Sequence, residues 1–105
     1  MSGTKDILGR IKESVSNTAP NATIILYGSR ARGDSAKESD FDILILINKD
    51  SVSYEDEIKI KYPLYDIEFD TGEIISPLII SKSDWEQKHK ITPFFENVTR
   101  EGIVL

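Results

Sequence analysis

The stretch from Tyr27 to Ile47, YGSRARGDSAKESDFDILILI, decides the fold of this chain of 105 residues. A short apolar run at 24–26 leads into it, and a longer one, from Phe41 to Ile47, ends it. A run dominated by Ile, Leu and Phe is typical of a strand buried on both faces of a sheet. We therefore predict a short buried strand at 22–27 and a central strand at 41–47.

Two carboxylates open the central strand. Residues i and i+2 of a strand point to the same face, so Asp40 and Asp42 are expected to project together while Phe41 turns into the core. Their Cα atoms would be roughly 7 Å apart, and without a cation between them at least one pKa should rise. Mg²⁺, which binds one or two carboxylates together with substrate phosphates, is the cation that suits such a pair.

The turn after the first strand has the features of a phosphate site. Gly28 lets the backbone approach a ligand, and Ser29 offers a hydroxyl and is the expected N-cap of a short helix with unpaired N–H groups. Arg30 and Arg32 add charged donors for the same phosphate oxygens. Gly33-Asp34-Ser35 is expected to end this helix, and 36–39 to return the chain to the sheet.

The remaining segments predict helices around a small sheet. An amphipathic helix is expected from Ser2 to Asn17 with Thr4 as its N-cap, and a charged helix over Ser53–Lys61. The segment Pro63–Thr71 fits either a half-exposed strand or a helix with Pro63 in its first turn, and we favour the helix. The later elements are a strand at Ile74–Ile80 with Pro77 at an edge or bulge, a helix over Trp85–Lys90 capped by Ser81 or Ser83, and a last helix from Pro93 to Gly102. The fold class is thus α/β (α+β), a single domain over 1–105 with a small mixed sheet and helices against it.

Composition narrows the classes of function. The net charge of −5 argues against a general nucleic-acid binder, which needs a basic face. The chain has no cysteine, so thiolate metal sites and cysteine nucleophiles are excluded. No apolar stretch approaches the ~20 residues that span a bilayer, and the first ten residues lack a signal-peptide core, so we expect no membrane partner and a cytoplasmic location.

Gly28-Ser29, ten residues and then Asp40-x-Asp42 resembles the nucleotidyltransferase superfamily that includes DNA polymerase β. Together with GSRARG, SDFDIL and the short length, the chain resembles the minimal nucleotidyltransferases (MNT) of HEPN/MNT toxin-antitoxin pairs. The motif covers about fifteen residues, whereas the order of elements matches over nearly the whole chain. Either half of the motif is weak alone, but both at this spacing beside predicted strands are specific.

The resemblance implies a palm-like fold and transfer of a nucleotide to a hydroxyl, with ATP as substrate and Mg²⁺ bound by Asp40 and Asp42, as in two-metal sites. It also implies a HEPN ribonuclease as partner, adenylylated on a tyrosine. The superfamily usually has a third carboxylate on the next strand, where this chain has Ser76 and Pro77. Four acids remain candidates for that role: Glu73, Asp66, Glu68 and Asp70.

Two further interpretations remain open. Without a third acid the chain would be a degenerate binding module that neutralises its partner by forming a complex. Transfer to a small molecule such as an aminoglycoside is less consistent with the length, which leaves no room for an acceptor domain. A homodimer is also possible, because the aromatic side chains of the last two helices could leave an apolar patch.

Overall fold

The computed structural model describes residues 4–33 and 40–105, which form helices and strands in the predicted alternating order. In chain order the elements are α1 (Thr4–Thr18), β1 (Thr23–Tyr27), α2 (Ser29–Arg32), β2 (Phe41–Ile47), α3 (Tyr54–Thr71), β3 (Ile75–Ser81), α4 (Lys82–Gln87), α5 (Pro93–Glu101) and β4 (Ile103–Val104). The predictions on Ser2 and on 34–39 fall outside the described residues.

The four strands form one mixed sheet in the order β3-β2-β1-β4. Strand β1 runs antiparallel to β2 and β4, whereas β2 and β3 are parallel. The prediction of a central β2 is confirmed, and Pro77 lies, as expected, in an edge strand. Strand β4 was not predicted, because two residues are too few to give a strand pattern.

Burial of β2 on both faces holds the layers together. On one face Ile43 and Ile45 pack in a core with side chains of α1 and α3, including Ile11 and Leu64. On the other face Leu44 and Leu46 pack in a second core, together with Ile80, Trp85 and Val98. Since each buried aliphatic side chain contributes roughly 1.5–3 kcal/mol, this strand is the main source of stability in the sheet.

Helix α3 is one element of 18 residues, with Pro63 inside it. The choice of helix for 63–71 is confirmed, but the expectation that Pro63 lies in a first turn is wrong. An interior proline costs about 3 kcal/mol in an isolated helix. Here Ile60, Leu64 and Ile67 are buried on both sides of it, and their burial offsets that cost.

The starts of α2 and α4 can be compared with the prediction, whereas residues 1–3, ahead of α1, lie outside the described residues. Helix α2 begins at Ser29 itself, with Gly28 as the N-cap. Ser81, one of the two predicted caps of α4, is confirmed, because its hydroxyl accepts the N–H of Asp84. The helix spans 82–87, so it begins and ends about three residues before the predicted 85–90. Thr4, the expected N-cap of α1, is the first described residue of that helix.

Among the described helices, none is both long and apolar enough to cross a membrane.

Candidate active site

The two predicted metal ligands lie together at the start of β2. Asp40 directly precedes the strand and Asp42 is its second residue, and both are half-buried. Phe41 between them is fully buried, as expected. Burial, and then the negative charge of Asp40, raises the pKa of Asp42. The pair thus has the mutual repulsion that a bound cation would relieve.

Asp42 is flanked by one residue from each neighbouring strand. Tyr27, the last residue of β1, is its partner on one side, and Ser76 is its partner on the other. Burial, and then the charge of Asp42, raises the pKa of the Tyr27 hydroxyl. Tyr27 was not predicted as a site residue, although an antiparallel pairing of the two predicted strands would place it opposite Asp42.

Ser76 also contacts the other carboxylate. Its hydroxyl donates a hydrogen bond to Oδ2 of Asp40 across 3.1 Å. Because Ser76 is level with Asp42 in the parallel ladder, it occupies the place on the neighbouring strand where a third acid was sought. A neutral hydroxyl there orients Asp40 without adding negative charge.

The Gly28 turn is seated directly against Asp42. Gly28 has φ of 78°, and a Cβ placed on it would clash with Oδ2 of Asp42 and come within 3.3 Å of its Cγ. Only glycine fits both this left-handed backbone and this close approach. Helix α2, with four residues, is too short for a sizeable dipole, so phosphate binding here would depend on individual N–H groups and on the Ser29 hydroxyl.

Arg30 joins the turn to the starts of two strands. Its guanidinium lies 4.1 Å from the ring centre of Phe41, and Nη2 donates to Oε1 of Glu73 at 3.2 Å. The Arg30 side chain is only 11% exposed. These contacts hold α2 against β2 and against the segment that enters β3.

Arg32 is placed differently. Its Nη1 donates to Oε1 of Glu101 at 3.4 Å, and its side chain is 42% exposed. A partly exposed arginine can turn toward a ligand more easily than a covered one. The assignments of Arg30 and Arg32 to phosphate stay predictions.

Three of the four candidates for a third carboxylate bind other groups, and the fourth is exposed on α3. Glu73 binds Arg30, Oε2 of Glu68 accepts the N–H of Ile75 at 2.6 Å, and Asp70 pairs with Arg10 at 2.9 Å. Asp66 is exposed on α3. Within 4–33 and 40–105, no three acidic or histidine side chains converge on a point where a metal would bind.

A concavity of about 230 Å³ lies at the opposite end of β2, lined by Ala19, Ile47 and Lys59 among others. It includes none of the predicted site residues. The candidate site is the surface formed by the Gly28 turn, Asp40 and Asp42. Two carboxylates beside a glycine turn can hold a hard cation and a phosphate chain at the same time.

Comparison with known proteins identifies a family and a relative. The family model described as a nucleotidyltransferase domain matches residues 8–96. A protein of Methanocaldococcus jannaschii, named provisionally as a protein adenylyltransferase, is 35% identical over 81 residues, which cover 74% of this chain and 80% of the relative.

Proposed function

The chain belongs to the nucleotidyltransferase domain family, and on that premise we propose that it transfers AMP from ATP to a hydroxyl group of a partner protein. The observation that carries the proposal is the seating of Gly28 against Asp42, with Asp40 beside it. This contact brings a glycine turn that suits phosphates next to two carboxylates that suit a cation.

In the proposed reaction the acceptor oxygen forms a bond to the α-phosphorus of ATP. The bond from that phosphorus to the oxygen that bridges to the β-phosphate breaks, and pyrophosphate leaves. The acceptor proton passes to solvent. Alignment of the acceptor, the α-phosphate and the leaving group, together with neutralisation of charge, would supply most of the rate.

Asp40 and Asp42 have the donor chemistry for Mg²⁺, since both offer carboxylate oxygens and the pKa of Asp42 is raised by burial and by Asp40. When bound, Mg²⁺ would supply positive charge that offsets the carboxylates and the phosphates. Ser76 would hold Asp40 in its orientation through the hydrogen bond of 3.1 Å. Gly28 and Ser29 would contact phosphate oxygens, and Arg32 would add a charged donor.

A protein acceptor is favoured by the name of the relative from Methanocaldococcus jannaschii, which assigns it to transfer onto protein. The resemblance to minimal nucleotidyltransferases of toxin-antitoxin pairs favours a HEPN-type ribonuclease, adenylylated on a tyrosine and thereby silenced. The chain would then act as the antitoxin.

One observation favours a second function. Ser76 stands where a third acid would serve as base, a role typically worth ~10²- to 10⁴-fold in rate. A site that binds nucleotide but turns over slowly would suit a binding module that neutralises its partner by forming a complex.

The test is transfer of label from ATP that is labelled at the α-phosphate to a co-expressed HEPN-type partner in the presence of Mg²⁺. We expect the wild type to label the partner and Asp42→Asn to lose the label, while Asp6→Asn, an exposed substitution on α1, keeps it. An unlabelled partner together with equal protection of cells by wild type and Asp42→Asn would overturn the enzymatic proposal. If Asp40→Ala/Asp42→Ala protein still co-purifies with the partner and protects fully, the binding function stands instead.

A further inference from the structure

The outer side of α3 exposes a row of large apolar residues that we call the α3 stripe: Tyr54, Ile58, Tyr62, Tyr65 and Phe69. Phe69 is 91% exposed, Tyr54 79%, Tyr62 61% and Tyr65 47%, while Ile58 is half-buried. The rings of Tyr62 and Tyr65 lie 6.1 Å apart. So many exposed aromatic side chains on one helix are unusual for a surface that faces only water.

The spacing of the stripe is that of a helix that packs along another helix. Its members follow one another at intervals of four, four, three and four residues, so that they fall within about 80° of each other around the helix axis. The residues buried in the core, Ile60, Leu64 and Ile67, lie on the other side. Helix α3 therefore has one apolar side against the sheet and a second one facing outward.

The charged residues beside the stripe limit which partner can pack against it. Three of the acids on α3 already have basic partners: Asp56 with Lys49, Glu57 with Lys61, and Asp70 with Arg10. Along one border of the stripe, Glu55, Lys59 and Asp66 make no ion pair with any described residue. That border alternates in sign along the helix: negative, positive, negative.

We propose that two copies of this chain pair through their α3 stripes, antiparallel, about a two-fold axis near Tyr62. In this arrangement Tyr62 contacts Tyr62 of the second copy. Ile58 faces Tyr65 of the second copy, and Tyr54 faces Phe69 of the second copy. In antiparallel helix pairs each border faces the same border of the other helix. Lys59 therefore lies opposite Asp66 of the second copy, and the reverse contact forms as well.

The self-pairing also accommodates the remaining border acid. Glu55 comes near Asp70 of the second copy, whose charge is countered by Arg10 at 2.9 Å. A border of a single sign would repel itself, whereas this one offers two attractive contacts per dimer.

The aromatic side chains of the last two helices, suspected of forming an apolar patch, instead pack on one another: Trp85 contacts Phe94 and Phe95. The stripe on α3 takes their place as the interface.

A single pair of helices is a small interface, below the ~800 Å² per partner of stable complexes, so we expect a Kd on the order of micromolar. Sedimentation velocity over protein concentrations of about 1 to 100 micromolar covers that range. We expect wild type to change from monomer to dimer across the series. Phe69→Ser should weaken the dimer at least about tenfold, because it removes one end contact twice.

The charge border gives the sharper test. Lys59→Asp and Asp66→Lys each place like charges opposite one another, and each should weaken dimerisation about tenfold. The double variant Lys59→Asp/Asp66→Lys restores opposite signs and should return to within about threefold of wild type. Lys12→Asp and Asp50→Lys, both at exposed positions away from the stripe, make the same charge changes and should leave the dimer unchanged.

A wild type that stays monomeric across the series would overturn the proposal. So would a double variant that dimerises no better than the single ones, or a dimer that Phe69→Ser leaves intact, since these place the contact on another surface or with another partner. Circular dichroism of every variant confirms that each is folded. The measurement needs no nucleotide, so its outcome is independent of the proposed transfer.

Discussion

The hydroxyl of Ser76 donates to Oδ2 of Asp40 across 3.1 Å, although Ser76 is level with Asp42 in the sheet. Ser76 therefore touches one carboxylate and neighbours the other. An acidic residue at this position would change the charge of the site, and we expect the fold to tolerate it, because Ser76 lies on an edge strand and is half-buried.

Ser76→Asp should convert this contact into a third carboxylate. We expect transfer in the presence of Mg²⁺ to rise at least about tenfold, as part of the ~10²- to 10⁴-fold that a positioned base contributes. Without the cation, three adjacent negative charges should lower the melting temperature, and Mg²⁺ should restore it. Initial rates and thermal melts with and without Mg²⁺ measure both effects. Ser76→Asn is the neutral control, and equal rates for the Asp and Asn variants would contradict the assignment.

Glu73→Gln should weaken nucleotide binding through Arg30. The substitution removes one ion-pair contact of the covered guanidinium, at a cost of about 1–2 kcal/mol, between the values for surface and buried pairs. Loosening of α2 should then raise the Kd for the triphosphate, measured by calorimetry, while the affinity for Mn²⁺ alone stays unchanged. The matched control is Glu57→Gln, which breaks a partly exposed pair with Lys61 on α3, outside the proposed site. Loss of Mn²⁺ affinity in Glu73→Gln would instead make Glu73 a metal ligand.

Gly28→Ala and Gly72→Ala separate backbone strain from displacement of Asp42. The two glycines have nearly the same φ, 78° and 76°, but Gly28 has ψ of −160° and Gly72 has ψ of 3°. Alanine should cost roughly 1–2 kcal/mol at Gly72, in the left-handed helical region, and more at Gly28, whose backbone region is essentially restricted to glycine. The Cβ at Gly28 collides with Asp42, whereas no described atom lies within 4 Å of one at Gly72. Both variants should lose stability in urea, but only Gly28→Ala should lose Mn²⁺ affinity. Equal Mn²⁺ affinities would mean that the turn does not fix Asp42.

The start of α3 should make stability depend on pH in the acid range. Hydrogen bonds from Lys49 and from the N–H of Ser53 lower the pKa of Asp56 from 3.8 to about 2. A lowered pKa in the folded state means that this carboxylate stabilises the protein above pH 3.8, and that the contribution disappears as the pH falls toward 2.

Asp56→Asn should therefore be less stable than wild type at neutral pH, and the difference should shrink between pH 4 and pH 2. Urea midpoints across that range measure it. Glu55→Gln, next to it in the first turn of α3, is the control and should show no such convergence. A difference that stays constant with pH would mean that the side chain acts through shape and not through charge.

Local patterns of sequence were enough to predict β1, β2 and a glycine turn close to Asp42. Because the run of β2 is apolar throughout, Ile43 and Leu44 can both be predicted as buried, one on each face of the sheet. Alternation along the strand then places Asp42 on the other face from Phe41. The position of Pro63 inside α3 was predicted wrongly, because a proline strongly destabilises an isolated helix. The burial that offsets this cost depends on packing against the sheet. Ser53-x-x-Asp56 is a helix-start signal that was present but easily overlooked, because Asp is a shorter partner than the usual Glu or Gln.

Contacts between distant segments could not be predicted. Arg30 and Glu73 are 43 residues apart, so no local pattern indicates that the phosphate turn is tied to β3. The position of Ser76 beside Asp42 follows only from the register of two parallel strands, which a crossover helix of 18 residues leaves undetermined. The identity of the residue beside Asp42 on β3, and so the presence or absence of a third acid there, therefore depends on the register of β2 and β3.

The pairing of β4 with β1 has a consequence for synthesis on the ribosome. Ile25 and Leu26 can pair with β2 once Ile47 has emerged, but their other edge stays unpaired until Ile103 and Val104 follow. During that interval the nascent chain presents an apolar strand with unpaired N–H and C=O groups, which is the kind of edge that joins neighbouring chains. Crowded polysomes would therefore be a setting in which this domain is exposed to misassembly.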